Sequence, residues 1–285
     1  MNCRLLLSGL AVLLIAFLSG CPKPPVNSTS MNKMPAVGTP AGMNTEAAGK
    51  TGQALTVFAG SASKPALEEL AASYKTKTGI TVDVTFGGSG AVLTQFAQEQ
   101  YGDVYVPGSD DFMDKAEKKD AVLKDSRKAL VYLVPVINVA KGNPKGVKGL
   151  EDFTRKDLRV VIGEPEAVCL GDIGVAVLSE VGLWEKVKPN IASYANNCEG
   201  TLNALLLGEA DVIVGWDVFT NQQSDKVESI SLAGNKAARS RNIPAAVIKW
   251  SKQPDAARDF VEYLASDENK PVWEKHGYTT NEPKS

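Results

Sequence analysis

Between Leu55 and Ala116 the sequence runs through one pattern three times, and that repetition constrains the fold more than any other feature. Leu55-Thr56-Val57-Phe58-Ala59 is a short apolar run, broken by Gly60-Ser61-Ala62-Ser63-Lys64. Pro65 suits the first turn of a helix, because its missing N–H would have no partner there. Leu67, Leu70, Ala71 and Tyr74 then recur at helical spacing until Gly79. The second copy alternates as a strand over Thr81 to Phe86, turns at Gly87-Gly88-Ser89-Gly90, and continues as a helix lined by Val92, Leu93, Phe96 and Ala97. In the third, Val104-Tyr105-Val106 leads through Pro107-Gly108 to a helix with Phe112, Met113 and Ala116 inward. Strands that alternate with helices predict an open, mainly parallel α/β sheet.

The pattern changes at Ala129 to Ala140, an apolar run too long for one ordinary strand and divided by Pro135. A chain crossing from one lobe into another would read this way. A second α/β set follows, with a short helix at Leu150 to Phe153 and a strand at Arg159 to Gly163. A loop containing Pro165 and Cys169 then feeds a helix through Val175, Leu178 and Val181. Tyr194 to Gly200 reads as a loop, Thr201 to Leu206 as a helix and Asp211 to Gly215 as a strand. From Ile230 the chain crosses back to a strand at Ile243 to Trp250 and an amphipathic helix at Asp255 to Leu264. The expected architecture is two α/β lobes, residues 54–133 plus 236–285 and residues 134–235, joined by two hinge crossings. Open α/β sheets bind ligands beyond the carboxyl ends of their strands, where helix N-termini present unpaired N–H groups. In a two-lobed molecule that region is the cleft.

The N-terminus predicts export. Arg4, the apolar run Leu5 to Leu18 and the small residues before Cys21 read as a signal peptide over residues 1–20, the run being shorter than a membrane span. Leu18-Ser19-Gly20-Cys21 resembles the lipobox of bacterial lipoproteins, which implies lipidation of Cys21 and a protein facing the periplasm or cell exterior. Residues 21–53, rich in Pro, Ser, Thr, Asn and Gly, lack the apolar side chains to repay ordering and read as a disordered tether.

Composition removes several functions. A formal charge of -2 with no basic block gives no support to nucleic-acid binding. One histidine, His276, leaves little room for a His-based hydrolase or a His-rich zinc site. What remains is a set of small-residue loops at strand-to-helix junctions: Gly60 to Ser63, Gly87 to Gly90, Val168 to Gly171 and Cys198 to Thr201. Neutral donors at helix N-termini suit an anion.

These segments carry a family resemblance. Leu55 to Ser63, Phe86-Gly87-Gly88-Ser89, Gly102 to Val106 with Phe112 to Ala116, Gly163 to Gly171, and the closing stretch from Pro244 to Gly277 resemble the molybdate/tungstate-binding proteins of ABC importers. The resemblance implies a type II periplasmic-binding-protein fold and the capture of a tetrahedral oxyanion without catalysis, by a monomer that docks on an ABC permease. No resident cofactor is expected. By motif, the ligand-binding hydroxyls would be Ser61 and Ser89, and the backbone donors Leu170 and Cys198 or Glu199. The family's second-lobe tyrosine falls at Gly215 or Trp216, so an indole N–H would have to take its place.

The departures from the family open alternatives. Cys169 stands where proline is common, Cys198 lies in the other ligand loop of the same lobe, and Asp172 and Glu199 add carboxylates that oppose an oxyanion. A Cys169–Cys198 disulfide suits an exported chain. Two thiolates that hold a soft metal or a thiophilic species, with Asp172 as a further ligand, are the second reading. Unpaired buried cysteines are the third. An extracellular enzyme with Cys169 as nucleophile would need a base beside it.

Overall fold

The computed structural model describes residues 54–283, so the signal, Cys21 and tether readings lie outside the described residues. β1 (Leu55–Gly60) leads through a single tight turn into α1 (Lys64–Thr78), β2 (Val82–Gly87) into α2 (Ser89–Glu99), and β3 (Val104–Val106) into α3 (Asp110–Lys118). β4 (Lys128–Leu133) ends this part of the chain. The second part comprises β5 (Pro135–Ala140), β6 (Val160–Gly163), α4 (Cys169–Glu180), α5 (Trp184–Val187), β7 (Ile191–Ala195), α6 (Cys198–Leu206), β8 (Val212–Trp216), α7 (Asp217–Gln222) and β9 (Val227–Ser231). β10 (Arg241–Val247), α8 (Pro254–Ala265) and α9 (Lys270–Lys275) complete the chain.

Two five-stranded sheets result, in the orders β2-β1-β3-β10-β4 and β7-β6-β8-β5-β9. In the first, β1 is parallel to β2 and β3, while β10 runs antiparallel to β3 and β4 because it returns from the other sheet. The second repeats this plan: β6 is parallel to β7 and β8, and β5 is antiparallel to β8 and β9. The expected mainly parallel sheets are therefore mixed, with the antiparallel strands being those that carry the crossings. Pro135 starts β5 rather than interrupting a strand, which spares the ladder a missing donor. Pro244, inside β10, is accommodated by a register shift between Ile243 and Pro244.

The central strands are apolar on both faces, as sheets covered by helices on both sides require. Val104, Val106, Val212, Val214, Ile213 and Ile243 are all fully or almost fully buried. The helices of each lobe bury their periodic stripes against these strands, for example Leu67, Leu70 and Tyr74 of α1 and Phe260 and Leu264 of α8. At the forward crossing, Asp217 ties the two segments together: its Oδ1 accepts from Val134 N at 3.0 Å, and its own N–H donates to Val134 O at 2.9 Å.

Candidate functional site

The strand–loop–helix units aim helix N-termini from both sheets at one place. Ser61 opens the turn that feeds α1, Ser89 is the first residue of α2, Cys169 the first of α4 and Cys198 the first of α6. Neither Ser61 nor Ser89 caps a helix: Gly60 precedes the turn that Ser61 opens, Ser63 holds the cap position of α1 and Gly88 that of α2. Both hydroxyls are instead buried between the lobes, at 5% and 1% exposure. Ser89 Oγ accepts from Gly108 N at 3.0 Å, and Ser61 Oγ accepts from Glu199 N at 3.1 Å. A hydroxyl whose oxygen already accepts a backbone N–H keeps its proton for donation elsewhere. Tyr105, whose Oη donates to Ser89 O at 2.9 Å, fixes the backbone of that serine.

The structure brings Ser89, Leu170, Cys198 and Trp216 together around a pair of thiols. Cys169 and Cys198 are free, with Sγ atoms 3.3 Å apart. The bridge expected from the sequence is not formed, since a disulfide holds its sulfurs at about 2.05 Å. The Cys169 thiol donating to Cys198 pushes the Cys198 pKa down, helped by the Trp216 indole and the Leu170 N–H. The same contact, together with burial, pushes Cys169 well up, although Ser89 and the Leu170 N–H act in the opposite sense. The neutral donors that the motif assigns to an oxyanion thus already favour negative charge at this point. Trp216 is fully buried, and its Nε1 satisfies no hydrogen bond of good geometry. Such an orphan donor is costly to bury and points to an acceptor.

Ser61 and Glu199 stand to one side of the thiols, in a seam between the lobes. Ser61 Oγ donates to Asn197 Oδ1 at 3.4 Å, and Asn197 caps α6 by accepting from Gly200 N at 2.7 Å. The two carboxylates that seemed to oppose an anion are neutralised by lysines of the first lobe. Lys64 Nζ reaches both oxygens of Glu199 at 3.1 Å, and Lys115 Nζ reaches Asp172 Oδ2 at 2.5 Å. Asp172 Oδ1 is occupied by Glu166 N at 2.6 Å. Asp172 is therefore not a third ligand beside the cysteines, and the metal set Cys169, Cys198 and Asp172 is corrected on that ground. Among the described residues no group of three or more His, Cys, Asp and Glu is close enough to hold a metal ion. His276 pairs with Glu69 at 2.7 Å on the α1–α9 side, so it is not the base of Cys169.

The lobes touch along backbone as well as side chains. Gly90 N donates to Ala167 O at 2.9 Å. A Cβ on Gly88 would lie 2.5 Å from Ala167 O and 2.7 Å from Asn196 O, both second-lobe carbonyls, so only glycine permits this approach. Sequence reasoning missed Gly108, Asn197, Tyr105 and Lys115. Asn197 had a signal, an Asn directly before a helical run, whereas the others become functional only through long-range contacts.

Among the described residues no helix is long and apolar enough to cross a membrane. Residues 55–279 match the family model described as bacterial extracellular solute-binding protein. A Bacillus subtilis (strain 168) protein provisionally named as the ABC transporter substrate-binding lipoprotein YvgL is 29% identical over 228 residues, 79% of this chain and 86% of that one. The molybdate-binding protein ModA of Haemophilus influenzae is 26% identical over 232 residues, covering 79% and 89%. In structure, the chain resembles the periplasmic molybdate-binding protein of Azotobacter vinelandii, with TM-score 0.69, 19% identity and coverage of 80% and 100%. The sulfate-binding protein SubI of Mycobacterium tuberculosis H37Rv gives TM-score 0.70 at 15% identity, covering 81% and 88%. At such identities these two structures speak for the fold, which is that of the type II periplasmic binding proteins. The chain belongs to the family of bacterial extracellular solute-binding proteins.

Proposed function

We propose that this protein captures a tetrahedral oxyanion of the molybdate and tungstate type between its lobes and delivers it to an ABC permease. The observation that carries this reading is the donor set. Ser61, Ser89, the Leu170 N–H, the N–H groups at the start of α6 and the Trp216 indole are neutral donors, drawn from four helix N-termini and one strand end. The nearby carboxylates are already paired with Lys64 and Lys115. An oxyanion there gains hydrogen bonds and helix dipoles without meeting an unpaired negative charge. The molybdate-binding relatives support the same ligand class, and the naming of the Bacillus relative as a lipoprotein supports lipid attachment at Cys21. Residues 54–133 plus 236–285 and residues 134–235 would move as two bodies about the crossings at Val134 and Leu232 to Ser240. Ligand shifts such an equilibrium only by binding one arrangement better.

A thermal-shift panel tests the reading. A ligand confined to the folded state stabilises it by about 2.7 kcal/mol at a hundred times its Kd. Molybdate and tungstate are expected to raise the melting temperature, sulfate to do so less, and divalent cations not at all. A shift with a divalent cation and none with any oxyanion overturns the assignment.

A further inference from the structure

Cys169 and Cys198 are the part of this site that oxyanion capture leaves unexplained. Both come from the second lobe, each as the first residue of a helix, so the pair is assembled within one lobe and does not depend on lobe contact. Their sulfurs face each other at 3.3 Å and are almost fully buried, at 1% and 3% exposure. Beside them stand the Ser89 hydroxyl, the Leu170 N–H and the buried Trp216 Nε1, which makes no hydrogen bond of good geometry.

That combination selects among thiol-binding species. A structural zinc site takes four ligands, and among the described residues the pair finds no third Cys, His or carboxylate. Indole and backbone N–H groups cannot ligate a cation, but they can donate to an oxygen carried by the ligand. The fitting ligand bonds two sulfurs and keeps a hydroxyl.

We infer that the reduced site also captures a trivalent thiophilic oxyacid, of which arsenous acid is the simplest, through covalent bonds to Cys169 and Cys198. This rests on the reading of the interlobe cleft as the ligand site. The step is a ligand exchange without redox change: As(OH)3 and two thiols give a dithioarsenite that retains one As–OH, plus two waters. Two As–O bonds break, two As–S bonds form, and each thiol proton leaves on a departing hydroxide. The retained hydroxyl oxygen accepts from the Trp216 indole and the Ser89 hydroxyl, which satisfies the orphan donor. The thiolate is the attacking form of each sulfur, so each thiol gives up its proton as its As–S bond forms and that proton leaves with the departing hydroxide.

The test uses the full chain, kept reduced with a phosphine because a dithiol reductant would compete, and titrates sodium arsenite and molybdate separately. Arsenite is expected to bind one per chain, with two sulfurs and one oxygen around arsenic by X-ray absorption. Losing either thiol removes the chelate, so Cys169→Ser and Cys198→Ser are each expected to weaken arsenite binding by about a hundredfold. A measurement on the unsubstituted chain covers the case in which a variant misfolds: after the phosphine is removed, diamide takes the two thiol hydrogens, becomes the hydrazine and leaves a disulfide, which should abolish arsenite binding. An all-oxygen shell around arsenic, or arsenite affinity that survives diamide or either substitution, overturns the inference. Molybdate binding without arsenite binding also overturns it and leaves the oxyanion reading standing. If neither ligand binds, both fall.

Discussion

Replacing both first-lobe hydroxyls, as Ser61→Ala with Ser89→Ala, is expected to weaken molybdate binding by about 3–6 kcal/mol, since a hydrogen bond to a charged group is worth roughly 1.5–3 kcal/mol. That corresponds to a loss of at least about a hundredfold in Kd. The reason lies in how the hydroxyls are held. Gly108 N and Glu199 N each donate to one of these oxygens, so the hydroxyls are held in position before ligand arrives. A donor held in position costs less to use than one that must be ordered on binding. Folding is expected to lose about 1–3 kcal/mol for each of the Gly108 and Glu199 N–H groups left without an acceptor, so affinity and stability are measured separately. Calorimetry gives the affinity and a denaturant melt gives the stability. An unchanged molybdate Kd in the double variant would remove both serines from the site.

The second large effect comes from a residue with no side chain. Gly88 sits at φ -67° and ψ 138°, a conformation open to any residue, so Gly88→Ala costs nothing in backbone strain. The three atoms its new Cβ would meet all belong to the other lobe: Ala167 O at 2.5 Å, Asn196 O at 2.7 Å and Val168 Cγ2 at 3.1 Å. The methyl is therefore harmless within its own lobe and prohibitive for lobe contact. Overpacking of this kind costs about 1–3 kcal/mol, which predicts roughly a tenfold to hundredfold loss of oxyanion affinity if binding requires the lobes to meet. Small-angle scattering should show a larger radius of gyration for the variant in saturating molybdate than for the unsubstituted protein. Identical affinities and radii would mean that ligand capture does not need this contact.

Much of the frame was legible in the sequence because the first lobe consists of strands and helices with clear periods. The pattern Leu67, Leu70, Ala71, Tyr74 and the loops at Ser61 and Ser89 lie where the spacing puts them. The division of the long apolar run at Pro135 is equally plain, with β4 ending at Leu133 and β5 starting at Pro135. What escaped has physical reasons. β7 carries no strand signal in the sequence, which leaves Ile191 to Ser193 unassigned and puts Tyr194 and Ala195 in a loop, because it is an edge strand with most of its side chains facing solvent and no apolar alternation. α7, at six residues, is shorter than two turns and carries no readable stripe.

The site divides in the same way. Residue types at helix starts are local information, so Ser61, Ser89, Leu170 and Cys198 were within reach. The state of Asp172 and Glu199 was not. Their charges are cancelled by Lys115 and Lys64, partners 57 and 135 residues away in sequence and on the opposite lobe. Pairs this exposed add little stability, typically about 0–1 kcal/mol. Their importance is electrostatic, because they convert a site that looks hostile to anions into a neutral one. Trp216 is a third case. The motif offered it as a substitute donor, but only the fold shows that its N–H is buried beside a thiol and left without a good acceptor.

An anomalous difference map at the molybdenum edge, from crystals grown with molybdate, bears most directly on the claim that neutral donors from two lobes trap an oxyanion. The account predicts one strong peak per chain, within hydrogen-bonding reach of Ser61 and Ser89 on one side and the starts of α4 and α6 on the other. A peak elsewhere on the surface, or none at saturating molybdate, would contradict it.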